Sequence, residues 1–142
     1  MAHSNPHITV EASVEALAGS FPGYLGIELL ELTDESVRGR MRVDQRHLHP
    51  GGYVHGGCWV AFADTVAAWG TMRHLPADRG FTTAELKMNV LGAGRPGDEL
   101  LAVGELLHAG SRTQVWEVRV RRAEDEQPDR LMANFLCTQM VL

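Results

Sequence analysis

The chain has 142 residues, 44% hydrophobic and 22% charged, with a formal net charge of −5. That length fits a single domain spanning residues 1–142 and burying roughly two thirds of the surface its unfolded chain exposes. Its composition excludes disordered, collagen-like and low-complexity classes, and thirteen Lys and Arg against eighteen Asp and Glu leave no basic footprint for nucleic acid.

Residues 1–10 read as a loose tail with no basic stretch ahead of an apolar one, so no secretory leader is expected. Ser13 is placed to cap a short helix running to Phe21, where Pro22-Gly23 breaks it. Leu25–Leu32 and Val37–Val43 largely alternate apolar with polar residues or Gly around Thr33-Asp34-Glu35-Ser36, which predicts a hairpin. A loop rich in His, Pro and Gly, His47 to Tyr53, follows. From Val54 to Met72 there is then no Lys, Arg or Glu. That run approaches the length of a membrane span, but Asp64 near its middle would cost about 2.5–3.5 kcal/mol in a bilayer. A helix buried in its own protein is expected instead, with Trp59 and Trp69 in the core and no membrane partner.

After Pro76 four strands are predicted: Phe81–Leu91, Glu99–Leu107, Gln114–Arg121 and Leu131–Val141. A helix apolar all round needs protein all round. The expected fold is therefore α+β, an antiparallel sheet of five to six strands curled around one long central helix. The distant cysteines, Cys58 and Cys137, make neither a C-x-x-C motif nor a disulfide framework, which points to a reducing, cytoplasmic location.

Two features of the central helix suggest chemistry. Asp64 is the one ionisable side chain between Cys58 and Met72, and a carboxylate there is costly unless paired or used. At the helix start, His55-Gly56-Gly57 offers N–H groups of partial positive charge that a ligand can approach closely, the ingredients of an oxyanion hole. Gly56 and Asp64 lie about 12 Å apart along the axis, so one helix cannot bring both to the same carbonyl. If both act, the Gly56 end of one chain meets Asp64 of another, with two sites per two-fold dimer.

The run His49-Pro50-Gly51-Gly52-Tyr53-Val54-His55-Gly56-Gly57, followed by Phe62-Ala63-Asp64-Thr65, resembles hotdog-fold acyl-CoA thioesterases of the phenylacetate-degradation (PaaI-like) group. Glu85-Leu86-Lys87-Met88-Asn89-Val90, Arg95-Pro96-Gly97-Asp98 and Gly110-Ser111-Arg112-Thr113 resemble the later strands and turns of that group. The resemblance implies hydrolysis of an acyl-CoA, with Asp64 as nucleophile or general base and the Gly56 N–H of the partner chain polarising the carbonyl. It gives His55 an orienting role in that loop and Thr83 the place of a Ser or Thr that holds the water or the carboxylate. His49 stands where the group has Asn or Gln, so a titratable ring replaces an amide as the group that positions water or thioester. Tyr53 and Ala68 are candidate contacts for the acyl part, Arg95 and Arg112 for the nucleotide, and Gly57 and Ser111 are further candidate substrate-binding residues. No cofactor is implied beyond CoA, which belongs to the substrate. The expected assembly is a homodimer, packed further into a homotetramer.

Two other functions suit the same residues. A hotdog dehydratase would pair His49 with Asp64, and a non-catalytic acyl-CoA binder would use the fold without the chemistry. His47, His49 and His55 lack a Cys or clustered carboxylate to complete a tetrahedral set, so no metal is expected.

Overall fold

In the computed structural model, which describes residues 5, 8–127 and 129–142, two short helices precede the sheet: α1 (Val10–Leu17) and α2 (Phe21–Tyr24). This corrects the expected Ser13–Phe21 helix. Thr9 is the cap, its hydroxyl accepting the Ala12 N–H at 3.1 Å, whereas the Ser13 hydroxyl turns back to donate to Val10 O at 2.6 Å. Pro22 opens α2 rather than closing a helix, because in a first turn its missing N–H has no partner to lose. Ser20 caps that turn by accepting from the Gly23 N–H at 3.3 Å. Of the expected tail, residues 1–4, 6 and 7 lie outside the described residues. The Asn5 N–H donates to Arg73 O at 2.8 Å, which ties this point of the tail to the far end of the central helix.

The hairpin forms as β1 (Glu28–Leu32) and β2 (Ser36–Arg42). Its turn closes because Thr33 Oγ1 accepts the Glu35 and Ser36 N–H groups at 3.2 and 3.0 Å. A 3-10 turn (Gln45–His47) follows, and then α3 (Gly56–Arg73). The remaining strands are β3 (Phe81–Val90), β4 (Glu99–Ala109), β5 (Thr113–Arg122) and β6 (Ala133–Val141). All pair antiparallel into one six-stranded sheet of order β1-β2-β4-β5-β6-β3.

The sheet curls over α3. Trp59, Phe62, Val66 and Trp69 are at most 3% exposed, as a helix lying on a flat, open sheet would not allow. Close approach is set by small residues. A Cβ on Gly39 would sit 2.7 Å from Val66 Cγ2, and one on Gly70 would collide with the Trp116 ring. Cys58 and Cys137 are both free and buried. No helix among the described residues is long and apolar enough to cross a membrane.

One side of α3 is not covered. Val60, Ala61, Asp64, Thr65 and Ala68 are only half-buried. Beside them runs β3, an edge strand. Leu86 and Val90 pair with the buried Cys137 and Ala133 and so face the helix side, yet are 40% and 45% exposed. Apolar surface on a long, unpaired edge is where a second chain adds most readily.

Candidate active site

Asp64 is held from the sheet. Thr83, near the start of β3, brings its hydroxyl oxygen to 2.9 Å from Asp64 Oδ1 and to 2.9 Å from Gln139 Oε1. The Gln139 Nε2 lies 3.5 Å from the same Asp64 oxygen. Register explains the meeting: Thr83 is paired with Gln139 across β3 and β6, so both side chains point at the helix. Asp64 Oδ2 has no hydrogen-bond partner among the described residues. One carboxylate oxygen is anchored and the other is free on the half-open side of α3.

Negative charge here also acts on Cys137, the next inward residue of β6. Its thiol is pushed up to about 12, mainly by burial and then by Asp64. Cys58 is pushed up to about 11, by burial first and then by Asp44. Both are protonated at neutral pH and neither is a nucleophile.

The other end of α3 carries the second group. His55 is the N-cap residue and its Nδ1 accepts the Gly57 N–H at 2.8 Å. Gly57 is thereby left without a free donor, whereas the Gly56 N–H has no acceptor among the described residues, and a Cβ added to Gly56 would meet nothing within 4 Å. The loop before the cap is fixed from within. Buried His47 donates from Nε2 to Leu25 O at 2.7 Å and accepts the Asp44 N–H on Nδ1 at 2.9 Å, which uses both ring nitrogens. The His55 N–H then donates to His47 O at 2.8 Å. No group of three His, Cys, Asp or Glu among the described residues is arranged to hold a metal.

The remaining candidates fall into separate places. Half-buried His49 accepts the Gly51 N–H on Nδ1 at 2.9 Å, and its ring stands edge-on to Tyr53 at 6.1 Å. The Arg95 guanidinium lies 5.9 Å from the centre of the Tyr53 ring, so His49, Tyr53 and Arg95 form one wall beside the Gly56 end. No hydrogen bond joins His49 to Asp64 within the chain. Ala68 sits one turn beyond Asp64 on the half-open side. Ser111 and Arg112 occupy the exposed β4–β5 turn. Arg95 precedes β4 and Arg112 follows it, so the length of that strand separates them by roughly 35 Å.

Thus Asp64 and Thr83 come together, and His55, Gly56, Gly57, His49, Tyr53 and Arg95 gather elsewhere. Gln139 is the site residue missed from sequence. Its signal was present: Ala133, Phe135, Cys137 and Gln139 alternate along one face, and the last is a polar side chain in an otherwise apolar inward row.

The model of the thioesterase superfamily matches residues 51–128, which include the Gly56 end, Asp64 and Thr83. The chain is 29% identical over 135 residues to proofreading thioesterase EntH of Cronobacter turicensis, covering 95% of this chain and 96% of that one. It is 29% identical over 113 residues to 1,4-dihydroxy-2-naphthoyl-CoA hydrolase of Escherichia coli, covering 80% of this chain and 82% of that one. The solved structure of thioesterase HI1161 from Haemophilus influenzae overlays with a TM-score of 0.88 at 25% identity, covering 100% of this chain and 95% of that one. With a matched span of more than half its length and this sheet wrapped on this helix, the chain belongs to the thioesterase superfamily and is a hotdog-fold thioesterase.

Proposed function

We propose that the chain hydrolyses an acyl-CoA thioester, at sites each built from two subunits. The observation that carries this reading is the Asp64 carboxylate. It is anchored through Oδ1 by Thr83 at 2.9 Å, with Oδ2 free on the half-open face of an apolar helix. Oδ2 takes a proton from water as the water oxygen bonds to the carbonyl carbon. The Gly56 N–H of the partner subunit stabilises the oxyanion. Collapse of the tetrahedral intermediate breaks the C–S bond, and the Asp64 proton passes to the departing thiolate.

Support for the two-subunit site comes from the 12 Å that separate Gly56 from Asp64, about eight residues of helix, and from the open β3 edge with Leu86 and Val90. Support for a CoA thioester comes from the Escherichia coli relative, whose name specifies one. Ala61 and Ala68, beside Asp64, offer an apolar wall to the acyl group, with Tyr53 adding to it from the Gly56 end, while Arg95, 5.9 Å from the Tyr53 ring, extends toward the nucleotide.

The test is release of free thiol from a panel of aryl, arylacetyl and aliphatic acyl-CoAs. Turnover of at least one member is expected, and it should fall by orders of magnitude in Asp64→Asn with acyl-CoA binding retained. Binding without turnover in the wild type would sink the hydrolase reading. Hydration of an enoyl-CoA in place of thiol release would identify a dehydratase instead.

A further inference from the structure

The geometry points to Gln139 as the positioning residue of Asp64, acting through the Thr83 hydroxyl to hold Oδ1 so that Oδ2 alone is presented to the reaction. This rests on the hydrolase reading above and adds a residue to it.

Gln139 is fully buried at the end of an inward row of Ala133, Phe135 and Cys137. A primary amide in that row is costly unless its hydrogen bonds are made. Apart from Cys137, the hydrogen-bond partners of its side chain are Thr83 and Asp64. Its Oε1 is 2.9 Å from Thr83 Oγ1, and its Nε2 is 3.5 Å from both Asp64 Oδ1 and Cys137 Sγ.

Proton counting gives the amide its role. Thr83 has one hydroxyl proton and two oxygens 2.9 Å away, on Asp64 and on Gln139. The carboxylate is the stronger acceptor and takes it. Thr83 then needs a donor on its other side. A half-turn of the Gln139 amide exchanges oxygen for nitrogen there and supplies one. The opposite orientation reaches Asp64 Oδ1 only at 3.5 Å and leaves the Gln139 and Thr83 oxygens facing each other at 2.9 Å with no proton between them. The amide N–H therefore ends on Thr83 Oγ1, and Thr83 donates in turn to Asp64 Oδ1. Cys137, held as a neutral thiol that can donate or accept, suits both orientations of the amide.

A glutamate would bring a second carboxyl group to the same place, either as a second negative charge or sharing one proton with Asp64, and a methionine would fill the volume with no hydrogen bond. The experiment compares Gln139→Met and Gln139→Glu with wild type on whichever acyl-CoA of the panel is hydrolysed, measuring kcat and KM separately and thermal unfolding alongside. In Gln139→Met kcat should fall roughly ten- to hundredfold, the size of a lost hydrogen bond to a charged group, with KM within about twofold. Gln139→Glu should fall further. Combined with Thr83→Val, Gln139→Met should add little to the loss from Thr83→Val alone, because both act on one chain of bonds. Should Gln139→Met fail to fold, Gln139→Asn, which keeps a polar group but withdraws its N–H, takes its place with the same expected split.

An unchanged kcat, a change in KM alone, or full additivity with Thr83→Val would overturn the assignment while leaving the hydrolase reading intact. A wild-type protein that releases thiol from no acyl-CoA would overturn both.

Discussion

The Thr83 hydroxyl oxygen stands 2.9 Å from Asp64 Oδ1, so the edge strand β3 reaches the middle of α3 through a single bond. In the proposed mechanism that bond decides which carboxylate oxygen is left for chemistry. Replacing Thr83 by Val keeps the shape and removes the donor. Turnover should fall by about tenfold or more with little change in KM, whereas Thr83→Ser, which keeps the hydroxyl, should stay within a few fold of wild type. Steady-state kinetics on one acyl-CoA settles it, and equal losses in both variants would show that the hydroxyl is not what matters.

Both thiols are raised above the ordinary range, to about 11 for Cys58 and about 12 for Cys137. At pH 8 the native protein should therefore react with a disulfide reagent only slowly, and both groups should react fully once it is unfolded. The same shifts give a direction for stability. The folded state prefers the protonated thiols, so their contribution is intact below the unfolded thiol range near 9 and is lost as pH rises toward 11–12. Denaturant midpoints should drop over that alkaline window, and less so in Cys137→Ala compared with its own value at pH 7. Rapid labelling of the native protein at pH 8 would contradict the burial of both groups.

Gly70 lies under the Trp116 ring, where any Cβ would collide with the aromatic carbons. Gly70→Ala improves helix propensity at an interior position, yet it should destabilise the fold by about 1–3 kcal/mol, because overpacking outweighs the backbone gain. A fall in thermal midpoint is the expected result; a rise would mean that α3 can shift off β5 without cost.

Much of this architecture was legible because its signals are local. An unbroken apolar run gave α3 to within a few residues, and alternation gave the hairpin and the four later strands. The costly carboxylate singled out Asp64 by composition alone. The errors also have local causes. Thr9 and Ser13 are equally good caps by residue type, and only the extended backbone at Thr9 selects it. Pro22 reads as a stop or as a start depending on which side the helix lies. Strand order is different in kind: nothing in β3 itself says that it pairs with β6 at the far edge, and that pairing places Gln139 opposite Thr83. Gln139 was thus hidden by a long-range register rather than by its own sequence.

The proposed two-subunit site makes a prediction that no single-chain site can imitate. Asp64→Asn removes the proposed base, and Gly56→Pro removes the free N–H. Proline is accommodated there, since Gly56 is the first helical residue and His55 before it already has the extended backbone, φ −63° and ψ 141°, that precedes a proline. Each variant alone should be nearly inactive. In a dimer of one Asp64→Asn chain and one Gly56→Pro chain, one site combines both defects and the other combines an intact Asp64 with an intact Gly56. Random mixing makes half of the dimers mixed, each with one working site in two, so activity should recover to about a quarter of wild type. Unfolding and refolding the two inactive proteins together, then assaying thiol release, measures this directly. Activity that stays at the level of the separate variants would place both groups in one chain's site or exclude one of them from catalysis.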